Sequence, residues 1–371
     1  MQQSDQCMVR MGFIAGRSAV VGEAVFCRMQ RDLRHRLVVL TVALTAAFAA
    51  GCQNGVLPER DMLSTGEDND AEISERASTA VTRSERILAE LNDETAGTVM
   101  IVAHRGCWAD AAPENSLAAI RRCEAIGADI IEIDVGITSD GTPVLMHDDS
   151  VDRTTDGSGA IAGLPLEQVR NLRLRSGLGG SSAELTDERV PTLEEALAFS
   201  SGRFLVNLDM KAEAFDRAYE VVEMLGMENQ TLMKMSALPD DPVLQSASFL
   251  GETLFMPIIR ECTVQNEGMA CTDSISSIVQ GYSQFDPIAY EVVYSTGDFL
   301  REGIATMRAM GGRIWVNTLE PTLAAGHTDA LAITDPDAHW GQVIRDGANI
   351  IQTDRPALLL DYLRRQRLRS N

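Results

Sequence analysis

Residues 101–155 read IVAHRGCWADAAPENSLAAIRRCEAIGADIIEIDVGITSDGTPVLMHDDSVDRTT, and this stretch decides how the rest of the chain folds. Two apolar runs, Val99–Ala103 and Asp129–Val135, have the length of strands buried in a parallel sheet. Between them, Asn115–Ile126 carries apolar residues at helical spacing, so the unit reads strand, helix, strand. Polar residues gather at the strand ends: His104 and Arg105 after the first, Glu132 and Asp134 on the second, His147 after Pro143–Met146. Side chains alternate along a strand, which puts Glu132 and Asp134 on one face, about 7 Å apart. Two carboxylates inside a sheet repel each other and lose hydration, so a cation between them is expected, and a divalent metal is the simplest one.

The blocks His104-Arg105-Gly106, Pro113-Glu114-Asn115-Ser116, Glu132-x-Asp134, Asp140-Gly141, His147-Asp148 and Arg153-Thr154-Thr155-x-Gly157 follow one another in that order. In order and spacing they resemble the glycerophosphodiester phosphodiesterase family, over about Val99 to Leu363. Trp315-Val316-Asn317-Thr318 and Thr353-Asp354-Arg355-Pro356 are similar to its closing blocks. The resemblance implies a (β/α)8 TIM barrel that hydrolyses phosphodiesters with one divalent cation, Mg2+ or Ca2+. At the position matched to Asp209 the family usually has glutamate, whose longer arm reaches further. Asp209 and Lys211 at this spacing are also similar to the venom sphingomyelinase D branch of the same superfamily, which lacks the closing blocks.

The strand count gives the barrel independently. Val99–Ala103, Asp129–Val135, Arg203–Asp209, Thr231–Ser236, Thr253–Ile259, Ala289–Tyr294, Arg313–Thr318 and Ile350–Thr353 make eight strands, with helical patterns between most pairs. Thr192 followed by Glu195 is a capping box for the helix over Pro191–Ser200. The irregular stretch Asp148–Arg189 is a long loop at the barrel mouth, placed to touch substrate, to cover the rim, or both.

Glu132, Asp134 and Asp209 form a hard oxygen set for Mg2+ or Ca2+. Arg105 and Lys211 are the expected positive charges on the phosphate. Phosphodiester cleavage needs a base for the nucleophile and an acid for the leaving alkoxide, roles that two histidines fill near neutral pH. Of five histidines in the chain, His104 and His147 fall at strand ends of the motif unit and are the expected pair. Which is acid and which base is not legible. Trp315 is either an apolar wall for the glycerol end of the substrate or a core residue. Glu114 either touches the metal or does not, and Asn115 or Ser116 caps the following helix.

The chain has 371 residues and a net charge of −22, a surface that repels nucleic-acid backbones and excludes that class of partner. Arg28, Arg31, Arg34 and Arg36 precede the apolar run Leu37–Ala50, which ends in Gly51-Cys52. Basic start, apolar run and small residues describe an export signal, and the ending resembles a bacterial lipoprotein box with Cys52 acylated. An ordinary cleaved signal or a membrane anchor are the alternatives, and Met29 would give a signal of normal length. The expected layout is a leader over 1–51, a lipidated cysteine and acidic tether over 52–94, with a short surface helix within Ala71–Leu91, and the barrel over 95–371. The protein would then be an exported, membrane-anchored, periplasm-facing lipoprotein. Cys262 and Cys271 flank a polar loop and suit a disulfide, whereas Cys107 and Cys123 are a bridge or two buried thiols. Two other functions stay open: phospholipase D-like or lyase-type cleavage of (lyso)phospholipids on the same barrel, and a non-catalytic surface lipoprotein.

Overall fold

The structure, a computed structural model, describes residues 81–93, 97–210, 214–262 and 269–369. Cys52, the expected leader and most of the expected tether lie outside them, as does Lys211. Eight parallel strands close into a barrel: β1 (Met100–Ala103), β2 (Ile130–Ile137), β3 (Leu205–Met210), β4 (Thr231–Met235), β5 (Leu254–Arg260), β6 (Ala289–Val293), β7 (Arg313–Asn317) and β8 (Ile350–Thr353). Each lies within two residues of its expected span. The ring closes where β1 pairs with both neighbours, Met100 opposite Ile350 and Val102 opposite Ile130. Crossovers carry helices such as Leu117–Ile126, Leu193–Ser200 and Phe215–Leu225, which pack the outward faces of the strands. Thr192 and Glu195 form the capping box that the sequence calls for.

Strand alternation divides the interior into two layers. At the strand starts, Met100, Val102, Ile130, Leu205, Leu232, Leu254, Met256, Ala289, Trp315 and Ile350 form a dry apolar plug. The base of that plug is closed by α1 (Arg83–Asn92), whose Ile87 and Leu91 are buried in it. This corrects both the surface-helix expectation and the tether running to residue 94. Ile87 and Leu91 lie one turn apart on one stripe, and the barrel base gives that stripe something to cover. Arg313, buried at the start of β7, donates to the carbonyls of Leu91 and Asp93 at the end of α1, where a helix leaves its acceptors unpaired.

After β2 the chain turns back as the antiparallel strand Pro143–Leu145, then covers the rim with a hairpin of Arg173–Arg175 and Leu185–Arg189. Val144, Met146, Val151, Ile161, Val169 and Leu174 give this cover its own small core. Both cysteine pairs are bridged, Cys107 to Cys123 and Cys262 to Cys271, with Cα atoms 5.1 and 5.0 Å apart. The first ties the loop after β1 to the helix Leu117–Ile126. The second closes the loop after β5.

Candidate active site

Above the apolar plug the same alternation presents polar side chains. Glu132 and Asp134 on β2 are buried at 1% and 5% exposure, and β3 sets Asp209 directly beside Asp134. Glu132, Asp134 and Asp209 each bring one oxygen to a cluster whose oxygens all lie within 4.8 Å of one another. Burial, followed by the charge of Asp134, pushes the Glu132 carboxyl up to about 7, with Lys234 opposing the rise.

Lys234, on β4, is the cation that the sequence reading missed. Its Nζ lies 2.7 Å from Asp209 Oδ2, 3.5 Å from Glu291 Oε2 and 4.0 Å from Glu132 Oε1. Burial alone would lower the lysine, but the charges of Asp209, Glu291 and Glu132 outweigh it and hold the ammonium charged. In return Lys234 keeps Asp209 below the usual carboxylate range, against the rise that burial favours. The hydrogen bonds fall on one oxygen of each carboxylate: Glu132 Oε2 accepts from the Arg105 amide, Asp134 Oδ2 from Asn115 and Asp209 Oδ2 from Lys234. Three hard oxygen donors so close, one of them raised first by burial and then by its neighbour's charge, fit a divalent cation of the Mg2+ or Ca2+ type.

His104 follows β1, and its Nδ1 lies 2.8 Å from Asp354 Oδ1 at the end of β8. The same oxygen accepts from the Trp108 indole at 2.9 Å, and the Asp354 amide donates to the buried Asp329. Burial pulls the His104 value down, but the Asp354 hydrogen bond and the charges of Glu132 and Asp354 carry it above the ordinary one. His147 is anchored the same way, Nδ1 at 2.7 Å from Asp148 Oδ1. The Arg153 guanidinium holds Asp148 well below the usual carboxylate range. Both partners are thus ionised acceptors, so each histidine bears its proton on Nδ1 and keeps Nε2 for a substrate.

The His-Arg-Gly turn is made by two successive residues with left-handed backbone, Arg105 (φ 54°) and Gly106 (φ 76°). A Cβ on Gly106 would sit 3.1 Å from that of Ala119, and the left-handed angle would strain it as well. The turn aims the Arg105 amide at Glu132 and brings its Nε to 3.3 Å from Asp134 Oδ2. Asn115 grips Asp134 from both sides, donating to its carboxylate and accepting from its amide, while Ser116 caps the helix. Both Glu114 oxygens are taken up by Arg153, at 2.8 and 2.9 Å, and by Arg105. Glu114 orders the two arginines and stands outside the carboxylate cluster.

His104, Arg105, Asp209 and Lys234 line a cleft of about 710 Å³. Asp134, His147, Asp148 and Asp209 line an adjoining one of about 790 Å³, so Asp209 stands where the two meet. Trp315 lines neither. It is fully buried in the plug, its indole donating to Asn317 Oδ1 at 2.7 Å, and is a core residue, not a substrate wall. It sits two residues before Asn317 on β7 and so falls one layer below the site.

Residues 104–249 match the sequence model of the glycerophosphoryl diester phosphodiesterase family, and residues 255–363 match a family described as a domain of unknown function. The glycerophosphodiester phosphodiesterase 1 of Rattus norvegicus is 43% identical over 164 residues, 42% of this chain and 44% of the relative. The chain therefore spans less than half the length of that curated relative. A crystal structure of a glycerophosphoryl diester phosphodiesterase from Parabacteroides distasonis has the same fold, with a TM-score of 0.61 and 21% identity over 77% of this chain and 93% of the other. So has an Oleispira antarctica phosphodiesterase in complex with the product sn-glycerol-3-phosphate, with a TM-score of 0.51 and 22% identity over 73% and 99%. By the match to residues 104–249, this part of the chain is similar to the glycerophosphoryl diester phosphodiesterase family.

Proposed function

We propose that the chain hydrolyses glycerophosphodiesters to sn-glycerol 3-phosphate and an alcohol. The observation that carries this reading is the three-carboxylate cluster flanked by two histidines, each held by its own ionised aspartate. A divalent cation on Glu132, Asp134 and Asp209, when bound, would neutralise phosphate oxygens and acidify a coordinated water or hydroxyl. Arg105 and Lys234 add local positive charge for the phosphate, a planar fork and a point charge respectively. One of His104 and His147 takes the proton of the attacking hydroxyl at Nε2, and the other gives one to the leaving oxygen. Their aspartates stabilise each ring when it is doubly protonated. The pair serves equally for attack by water and for attack by the glycerol hydroxyl beside the phosphate. Lys211 is proposed to act on the same phosphate. The product named in the Oleispira complex supports this choice of substrate.

The test is release of glycerol 3-phosphate from sn-glycero-3-phosphocholine, with and without a chelator. Chelator-sensitive turnover is expected. Full activity in the chelator would remove the cation from this reading, and no turnover on any glycerophosphodiester would remove the reading itself. A cyclic phosphate as the final product would assign lyase-type cleavage instead. We also propose export and acylation at Cys52, on the apolar run that ends there. A lipid mass on an N-terminal peptide beginning at Cys52 is expected, and a soluble protein without one would refute it.

A further inference from the structure

The cations that line the 710 Å³ cleft are not equivalent. Arg105 is engaged by Glu114 and Asp134, and Lys234 by Asp209, Glu132 and Glu291. Arg260, the last residue of β5, lines the same cleft with no hydrogen bond or ion pair to its guanidinium among the described residues, and its Nε is buried without a partner. The nearby rim carboxylates leave it unneutralised: Asp241 caps a helical turn through the Val243 amide, and Glu320 is exposed to solvent.

The backbone around Arg260 is fixed. Its carbonyl accepts from Thr272, Glu261 bridges to Thr272, and Cys262 is joined to Cys271. The Glu261 carboxylate accepts from the Ser295 amide at 2.6 Å and from its hydroxyl at 2.7 Å, tying the end of β5 to the segment after β6. An arginine whose backbone is held this firmly, half sheltered and with no ion-pair partner among the described residues, offers its guanidinium to an anion that enters the cleft.

In the order of strands, β5 stands across the barrel from β1 and β2, which carry His104, Glu132 and Asp134. A diester with its phosphate at those residues therefore sends a substituent toward Arg260. We propose that Arg260 reads a second negative charge on the substrate, so that the site favours glycerophosphodiesters whose alcohol bears a carboxylate or phosphate. This rests on the hydrolytic reading above and names the substrate class for it.

sn-Glycero-3-phosphoserine and sn-glycero-3-phosphoethanolamine differ by one carboxylate and test the idea directly. With saturating Mg2+, kcat/KM for the serine diester should exceed that for the ethanolamine diester by roughly tenfold to a hundredfold, the worth of a charge-assisted paired hydrogen bond. In Arg260→Gln the ratio should fall toward one, with the serine diester taking most of the loss. Arg260→Lys should lie between, since it keeps the charge but not the fork. A wild type without preference overturns the proposal, as does a Gln variant that loses equally on both diesters. If neither diester is cleaved, the hydrolytic reading fails. Calorimetric titration of wild type and Arg260→Gln with glycerophosphoserine then decides the anion site alone: weaker binding by the variant upholds it, and equal or absent binding ends it.

Discussion

The two layers inside the barrel are built from the same strands and obey opposite rules. In the lower layer Trp315, Met100 and Ile350 exclude water and need only volume and shape. One or two residues further along those strands, Glu132, Lys234, Glu291, Asn317 and Gln352 are just as buried but make a network of charges and hydrogen bonds. The lower layer gains stability from burial itself. The upper layer is tolerable only while each charge keeps its partner. The difference shows how a strand register alone can separate the part of a barrel that folds it from the part that carries the candidate site.

The largest expected effect lies in the upper layer. His104→Ala and His147→Ala should each lower kcat on glycerophosphocholine by about 10²–10⁴-fold while still binding the divalent cation. Whichever of them is the acid should matter less for an aryl phosphodiester, whose leaving group needs no proton. Near wild-type rates for both variants on the natural-type substrate would break the assignment of chemistry to this layer.

In the lower layer, Trp315→Ala should remove about 3–5 kcal/mol of stability through the cavity it leaves. Denaturant titration measures it, and kcat per folded molecule should change little. A large fall in kcat with stability intact would return Trp315 to the site.

Lys234→Met sharpens the contrast. Without the ammonium, the cluster of Glu132, Asp209 and Glu291 has lost its internal counter-charge, at about 3 kcal/mol in metal-free protein. Saturating Mg2+ should raise the Tm of this variant more than that of wild type. An equal rise in both would mean that lysine and cation do not answer the same charges.

The smallest effect concerns Arg153 and should depend on pH. Arg153 holds Asp148 below its ordinary value of 3.8. A depressed carboxylate contributes stability above that value and loses it as pH falls through the lower folded one. Arg153→Gln should therefore cost about 1–2 kcal/mol at pH 7 and clearly less at pH 3. A gap that is constant with pH would show that Arg153 acts through packing alone.

The eight strands were legible because each is a short apolar run with a breaker or a helical pattern after it. His104, Glu132, Asp134 and His147 were legible because they crowd into one strand–helix–strand unit, and strand parity alone pairs the two carboxylates. Lys234 was not. It stands alone in TLMKM, where nothing nearby in sequence shows that Asp209 and Glu291 come from other strands to meet it. A hint was present, since a lysine inside an otherwise apolar strand must find a partner. The helix α1 was misjudged for a related reason. An amphipathic stripe shows that something is covered but not what, and here it is the barrel base. Trp315 could have been placed by counting parity back from Asn317, which puts it in the plug. The Cys262–Cys271 bridge was legible because the two cysteines bracket one short polar loop, whereas the Cys107–Cys123 bridge rests on the approach of a loop to a helix, which spacing leaves open.

The bond between His104 and Asp354 joins residues 250 positions apart, across the seam where β1 meets β8. Seen from the ribosome, this seam is the last part of the barrel to form. Its first strand emerges early and must wait, one edge unpaired, for nearly the whole domain to be synthesised. The bridge from Asp129 to Arg369 spans 240 positions and comes later still. A chain released before Asp354 would carry Glu132, Asp134 and Asp209 in its sequence but lack the aspartate that holds His104. Emergence of β8 is therefore also the step that supplies the partner of His104.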